Sequence, residues 1–171
     1  MITLCFLILA ITASQSLFIA EPKIPFITHL GSGLVPGNKI SITGLILPGA
    51  YNFAINLRNG FNRDPNGGII VFHFNPRFFS PNYLVLNTHL DGVGWLSEQR
   101  LTERFPFQKQ FPFLLEILCE QDRFLVSVDG QPVSEYQYRV PLAQADVLEI
   151  YGDGEVDIYL IDVTQPEKLQ E

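Results

Sequence analysis

Turn-forming residues recur at short intervals along the chain and limit how long any regular element can be. Gly, Pro, Asn and Asp cluster in the segments "GSG", "VPGN", "LPG", "RNG", "DPNGG", "SPN", "DGVG", "VDG" and "YGDG". Short runs rich in Ile, Val, Leu, Phe and Tyr lie between these clusters. Regular short strands separated by turns predict an all-β fold, either an antiparallel sandwich or a barrel.

The predicted strands share a high content of β-branched and aromatic residues, and several alternate between apolar and polar positions. They are Ile24–Leu30, Lys39–Ile46, Asn52–Leu57, Ile69–Asn75, Tyr83–Thr88, Phe113–Cys119, Arg123–Val128, Glu135–Tyr138, Val147–Tyr151 and Val156–Val163. One segment, "PLAQAD" from Pro141 to Asp146, is expected to form a single helical turn because Pro presets the backbone and Ala follows.

Length and charge narrow the class of protein. The chain has 171 residues, 47% of them hydrophobic and 14 of them Phe, which is enough for one domain with a sizeable core. Its formal net charge is −7. An acidic chain is poorly suited to binding nucleic acid, where Lys and Arg neutralise phosphates, or to electrostatic attachment to membranes.

The first twenty residues carry no charge and contain an apolar run from Ile2 to Ile11. We expect residues 1–20 to include a secretory signal peptide, cleaved between Ala13 and Ala20. An uncleaved anchor is the alternative, although polar residues interrupt the run before it reaches a membrane-spanning length. Residues 21–171 would then form one secreted domain without membrane insertion. Cys119 would be its single cysteine, so no intramolecular disulfide is expected.

The stretch "IIVFHFNPRFF" alternates apolar side chains with an imidazole, an amide and a guanidinium. In a strand, these polar groups share one face. Two polar segments follow it, "YLVLNTHL" and "WLSEQR". If three neighbouring antiparallel strands carry these three segments, their polar side chains lie together on one sheet face, with an indole at its margin. The predicted members are His73, Asn75, Arg77, Asn87, Glu98 and Arg100, with the indole of Trp95.

This set suits a sugar. Sugar hydroxyls both donate and accept hydrogen bonds; Asn can do both, Arg only donates and an ionised Glu only accepts. A flat indole can cover the apolar C–H face that some pyranose rings expose. Galactose has such a face because its 4-hydroxyl is axial. A site that pairs with this hydroxyl discriminates against the epimer, which would leave buried polar groups unpaired.

The order H-x-N-x-R, then N, then W-x-x-E-x-R resembles the galectin family of β-galactoside-binding lectins. The flanking segments "PGNKISITGLIL", "YNFAINLRNG" and "FPFLLEILCEQDRFLVSVDGQPVSEYQYRVPLAQADVLEIYGDGEV" are also similar to the family, so the resemblance covers roughly Pro25 to Val163. It implies a two-sheet antiparallel β-sandwich of the galectin jelly-roll type. It also implies a binding protein for galactose-containing glycans on glycoproteins or glycolipids.

The resemblance further implies a role for each site residue. His73, Asn75 and Arg77 would hold the galactose 4-hydroxyl and nearby ring oxygens, and Trp95 would stack under the ring. Most galectins lack a cleaved leader, so cytoplasmic synthesis with non-classical export is the alternative to secretion.

The remaining residues would contact the far side of the galactose and the next sugar. Asn87 and Glu98 would take the 6-hydroxyl. Glu98 and Arg100, together with Arg77, would reach a neighbouring glucose or N-acetylglucosamine. A single shallow site binds weakly, and a homodimer is one way to gain avidity.

An interaction module with altered or lost sugar preference is the alternative function. Leu96 stands where the family commonly has Gly, and the connection from Asn87 to Trp95 is one residue longer. Catalysis, a cofactor and a metal site are not expected, since the chain has no nucleophile elbow and no His/Cys cluster with metal-ligand spacing.

Several residues also have structural interpretations. Arg77 and Glu98 could form an ordinary cross-strand ion pair. His89 lies outside the pattern and is interpreted as a surface residue. Pro76 within a strand predicts a sheet edge or a bulge.

Overall fold

Two antiparallel β-sheets make up the computed structural model, which describes residues 16–61, 68–152 and 154–166. The strands are β1 Leu17–Ala20, β2 Phe26–His29, β3 Lys39–Ile46, β4 Ala54–Arg58, β5 Ile70–Arg77, β6 Tyr83–Leu90, β7 Gly94–Trp95, β8 Gln99–Leu101, β9 Pro112–Cys119, β10 Arg123–Val128, β11 Gln131–Gln137, β12 Val147–Tyr151 and β13 Val156–Thr164. None of the helical structure within those three ranges is long and apolar enough to cross a membrane.

The strand order explains how distant segments meet. The first sheet, which we call sheet A, has the order β1-β13-β3-β9-β10-β11. The second, sheet B, has the order β2-β12-β4-β5-β6-β7, and β8 also pairs with β6. Strands close in sequence, such as β5 and β6, are neighbours, whereas β12 reaches sheet B from the C-terminal part of the chain. The predicted two-sheet sandwich is confirmed.

The core lies between the sheets and is built from alternating positions. In β3 the buried residues are Ile40, Ile42, Gly44 and Ile46, with half-buried residues between them. Aromatic rings join the two layers: Phe72 of sheet B lies 4.7 Å from Phe124 of sheet A, measured between ring centroids. Burying these side chains supplies the main driving force for folding in a domain without disulfides among its described residues.

Most predicted strands are present, with ends that shift by a few residues. Lys39–Ile46, Arg123–Val128 and Val147–Tyr151 coincide with β3, β10 and β12. The expected helical turn is a 3₁₀ turn at Leu142–Gln144. Sequence patterns did not predict β7 and β8, which are two and three residues long.

The N-terminal segment also differs from expectation. Strand β1, which falls within the predicted leader, pairs with β13, where Leu17 lies opposite Val163 and Ala20 opposite Leu160. Residues 1–15, which hold most of that leader, lie outside the described residues.

Pro76 lies in an inner strand, and the pairing of β5 with β6 continues without a bulge from His73 to Arg77. The interpretation of this proline as a sign of an edge or bulge is therefore wrong. Phe78 donates its N–H to Tyr51 O, and alternate residues of a strand face the same neighbour, so Pro76 nitrogen faces that side too. There, Phe53 O accepts a bond of 2.5 Å from Asn75 Nδ2 instead. The Asn75 side chain thus supplies the donor that proline lacks.

Candidate functional site

The structure brings all seven predicted site residues to the face of sheet B that points away from the core. Three come from β5, one each from β6, β7 and β8, and Glu98 immediately precedes β8. The register places His73 opposite Asn87, and Arg100 opposite Val85. The expected arrangement of neighbouring antiparallel strands is confirmed, and it depends on the hairpin that joins β5 to β6.

Trp95 is half exposed, and its indole lies between two imidazoles. The ring centroids of His73 and Trp95 are 4.7 Å apart. Those of His89 and Trp95 are 5.1 Å apart, in an edge-to-face contact. The interpretation of His89 as a surface residue is wrong: only 5% of it is exposed, and its Nδ1 bonds to Gly68 O at 3.0 Å. The register explains the error, because β6 is an inner strand and places His89 between Ile70 and the indole.

Arg77 is held by uncharged groups on its own face of the sheet. Its Nε donates to Asn75 Oδ1 at 2.7 Å, and its Nη1 donates to the Tyr83 hydroxyl at 3.3 Å. Within the described residues Glu98 forms its ion pair with Arg100, whose Nε lies 2.9 Å from Glu98 Oε1. The cross-strand ion pair between Arg77 and Glu98 is therefore replaced by one within the segment 98–100.

The ring of Tyr83 lies between two guanidinium groups. The central carbon of Arg100 is 4.5 Å from its centroid, and that of Arg77 is 5.5 Å away. Guanidinium groups stack favourably on aromatic faces. Tyr83 therefore spaces the two cations along the site, a role that the sequence pattern did not reveal.

Asn87 is almost fully occupied by its own chain. Its Nδ2 donates to Leu96 O at 2.9 Å, and its Oδ1 accepts from Thr88 N at 2.8 Å and from Arg139 Nη1 at 3.3 Å. Arg139 also donates to the carbonyl of Ser97 at 2.5 Å. One amide hydrogen of Asn87 remains, so this side chain can still donate to a ligand oxygen.

A buried polar network lies beside His73, on the strands that continue the same face. Asn56, Arg58 and Glu149 are each at most 3% exposed. Asn56 Oδ1 lies 2.7 Å from His73 Nδ1. The sequence contains a pattern that could have identified two of them, because Asn56 and Arg58 alternate with the apolar Ile55 and Leu57 of β4. Glu149 could not be linked to His73 without knowing that β12 pairs with β4.

His73 is held neutral at physiological pH. Burial in the sheet, followed by the nearby charge of Arg77, lowers the pKa of His73 from 6.5 to about 4. The polar side chain of Asn75 and, to a lesser extent, the charge of Glu98 oppose this shift but do not cancel it. A neutral imidazole has one donor and one acceptor nitrogen. Since Nδ1 is bonded to Asn56, Nε2 is the nitrogen left for a ligand.

The site as a whole offers directed hydrogen bonds beside an exposed aromatic ring. Guanidinium donors, a carboxylate acceptor and a neutral imidazole lie within two strands of the indole. This combination can pair with a ligand that carries several hydroxyls and one apolar face.

Comparison with known proteins places most of the sandwich in one family. A family profile described as galactoside-binding lectin matches residues 25–161. Human galectin-12 is 32% identical over 133 residues, which are 78% of this chain and 39% of that protein. Rat galectin-4 is 37% identical over 136 residues, which are 79% of this chain and 40% of that protein. The chain therefore spans about two fifths of the length of these curated relatives.

The fold is similar to that of solved galectins. Galectin LEC-6 from Caenorhabditis elegans superposes with a TM-score of 0.73 and is 27% identical, covering 86% of this chain and 96% of its own. The family profile spans far more than half of the chain and includes every predicted site residue. The chain belongs to the galectin family of galactoside-binding lectins.

Proposed function

We propose that this protein is a lectin that binds β-galactosides of the lactose and N-acetyllactosamine type. Galectins are non-catalytic lectins, and membership of this family argues against an enzyme. The observation that carries the proposal is the set of seven polar and aromatic side chains on one open face of sheet B. The half-exposed indole of Trp95, on the edge strand β7, lies next to His73.

The galactose ring would lie on Trp95 with its axial 4-hydroxyl toward β5. There it would meet the free Nε2 of neutral His73 and the donors of Arg77. Asn75 would act mainly through Arg77, because its amide is already bonded to Phe53 O and its Oδ1 to Arg77 Nε. A glucoside, with an equatorial 4-hydroxyl, would leave His73 and Arg77 without this partner.

We call the open face of sheet B that carries the seven site residues the groove. Its other end would hold the 6-hydroxyl and the second sugar. The remaining amide hydrogen of Asn87 would donate to the 6-hydroxyl, and Glu98 would accept from it. Arg100 and Arg77, spaced by Tyr83, would donate to glucose or N-acetylglucosamine. Charged donors strengthen these bonds. The physiological ligands would be galactose-terminated glycoproteins or glycolipids.

A site this open should bind a single glycan weakly. Trp95 and the Arg100 side chain are about half exposed, so a bound sugar stays in contact with water. Useful avidity would then come from several sites that engage one surface. A homodimer is one source of such multivalency, and its presence can be measured by sedimentation.

We also propose secretion through the apolar N-terminal segment. The pairing of β1 with β13 favours cleavage in the early part of the window, between Ala13 and Ser16, since later cleavage would remove strand residues. N-terminal sequencing of material from the medium tests this. A first residue between 14 and 16 supports the proposal, and an intact Met1 contradicts it.

Retention on immobilised lactose tests the sugar site. The parent protein should be retained and eluted by free lactose, and Trp95→Ala should pass through. Phe18→Ala is the matched control, because Phe18 is an exposed aromatic residue on sheet A. Equal retention of Trp95→Ala and the parent would show that the site has been misassigned.

An interaction module with altered or lost sugar preference is the second candidate. The observation that favours it is the occupied amide of Asn87, which is bonded to Leu96 O in this structure. Such a module would keep the fold and bind a protein partner through the same face. Binding to several unrelated glycans, or to none, would favour it over the lectin.

A further inference from the structure

One rung of sheet B carries a continuous row of polar side chains from β12 to β6. The register places Glu149 opposite Asn56, Asn56 opposite His73, and His73 opposite Asn87. The last two belong to the sugar site proposed above. The first two are buried and lie beside that site, on β12 and β4.

Three donors converge on the carboxylate of Glu149. Arg58 Nη1 lies 3.1 Å and 3.0 Å from its two oxygens, and Tyr151 Oη lies 2.5 Å from Oε1. Asn56 Nδ2 donates to Oε2 at 3.2 Å. The side chains of Arg58 and Glu149 are only 4% and 3% exposed, so water hardly competes for these contacts.

The direction of every hydrogen bond in this row follows from the carboxylate. A carboxylate paired with a guanidinium accepts but does not donate. Asn56 must therefore turn its NH₂ group toward Glu149 and its carbonyl oxygen toward His73. That oxygen also only accepts, so the proton on the 2.7 Å contact must belong to His73 Nδ1.

We infer that Arg58, Glu149 and Asn56 are positioning residues that fix which ring nitrogen of His73 carries the proton. With Nδ1 protonated, neutral His73 presents a bare Nε2 to the groove. His73 then meets its ligand as a hydrogen-bond acceptor, and it selects a ligand hydroxyl that donates. The selection of a donating ligand hydroxyl rests on the proposed function, whereas the protonation of Nδ1 does not.

The same geometry explains why a carboxylate and an arginine are buried so close to an open groove. A buried ion pair adds little to stability compared with apolar residues of the same volume. Here it supplies a fixed hydrogen-bond direction that apolar side chains cannot supply. Asn56 extends this direction to His73, because its amide group donates a hydrogen bond to Glu149 and accepts one from His73.

The direct test is ¹⁵N NMR of the parent protein at neutral pH without sugar. The three histidines give few ring signals, and those lost in His73→Phe assign residue 73. Nδ1 should resonate as a protonated nitrogen and Nε2 as an unprotonated one. The reverse pattern would overturn the inference.

Asn56→Leu tests the consequence while leaving the pair between Arg58 and Glu149 in place. We expect a mixture of His73 tautomers and an affinity for lactose reduced about fivefold, as for the loss of one hydrogen bond worth about 1 kcal/mol. Asn59→Leu is the matched control, because Asn59 is exposed and bonds to Gln144 O, away from the row. Unchanged tautomers in Asn56→Leu would contradict the role of Asn56.

Ligand analogues test the acceptor role separately. A lactose analogue with fluorine in place of the galactose 4-hydroxyl can accept but not donate a hydrogen bond at that position. It should therefore bind the parent much more weakly than lactose does. Equal binding of the two would overturn the acceptor role. If the parent binds no galactoside but shows protonated Nδ1, the proposed function fails and the positioning role stands.

Discussion

The imidazole of His89 meets the indole of Trp95 edge to face, with ring centroids 5.1 Å apart. His89 is itself fixed by a bond from Nδ1 to Gly68 O. An edge-to-face pair contributes about 0.5–1.5 kcal/mol beyond burial. The half-exposed indole is thus held from the side of β6.

His89→Leu should therefore loosen the indole and weaken lactose binding by about two- to tenfold, the equivalent of that contact energy. The chain has a single Trp, so the anisotropy of its fluorescence reports the indole directly and should fall. His89→Phe keeps a ring at this position and should lie closer to the parent. Unchanged anisotropy in His89→Leu would refute this positioning role.

Arg139 should matter for sugar binding although it was not part of the predicted site. It holds the carbonyl of Ser97 and the amide oxygen of Asn87, which fixes the segment that leads from Trp95 to Glu98. Arg139→Leu should reduce lactose affinity severalfold and speed hydrogen exchange at Leu96. Arg123→Leu is the control, because Arg123 is a partly exposed residue of sheet A that pairs with Glu135. Equal exchange at Leu96 in both variants would contradict this account.

The buried pair of Arg58 and Glu149 makes a prediction about stability. Glu149→Leu leaves a buried guanidinium without its partner and should lower the free energy of unfolding by about 3–5 kcal/mol. The double variant Arg58→Met, Glu149→Leu removes both charges and should recover most of that loss. Urea titration measures both. A double variant as unstable as the single one would show that the charge is not the cause.

Binding should persist in mild acid because the pKa of His73 is lowered to about 4. Lactose affinity should stay nearly constant from pH 8 to about 5 and fall below about 4, where His73 gains a proton and loses its acceptor. A loss of affinity centred near 6.5 and absent from a His73→Gln variant would contradict the lowered pKa.

The lowered pKa of His73 also makes the stability of the native protein depend on pH. The unfolded chain binds a proton at His73 near pH 6.5 and the native protein only near pH 4. Between these values the unfolded state carries more protons, so native stability falls as pH drops through this window. The slope from this one group is at most about 1.4 kcal/mol per pH unit. His73→Gln should lack it.

Strand alternation predicted much of the fold because most strands have one face in the core. In β3 and β10 the apolar residues alternate regularly, and the predicted bounds are those observed. Strands β7 and β8 are too short to show a period of two. Strand β1 resembles the apolar segment before it in composition, so only its pairing with β13 identifies it as part of the sheet.

The site could be predicted only for the residues of the family pattern. His73, Asn75 and Arg77 alternate within one strand, and the spacing of the later residues completes the family pattern. The supporting layer depends on pairings between distant segments, such as Glu149 with Asn56. His89 was misjudged because its burial results from the edge strand β7, which folds the indole over it.

A glycan array probed with the purified parent protein is the most direct test of galactoside binding. We expect signals for glycans that end in β-galactose and none for the matching β-glucosides, which differ only at the 4-hydroxyl. These signals should disappear for Trp95→Ala and remain for Phe18→Ala. The absence of signal for every galactoside, from folded parent protein, would contradict the account.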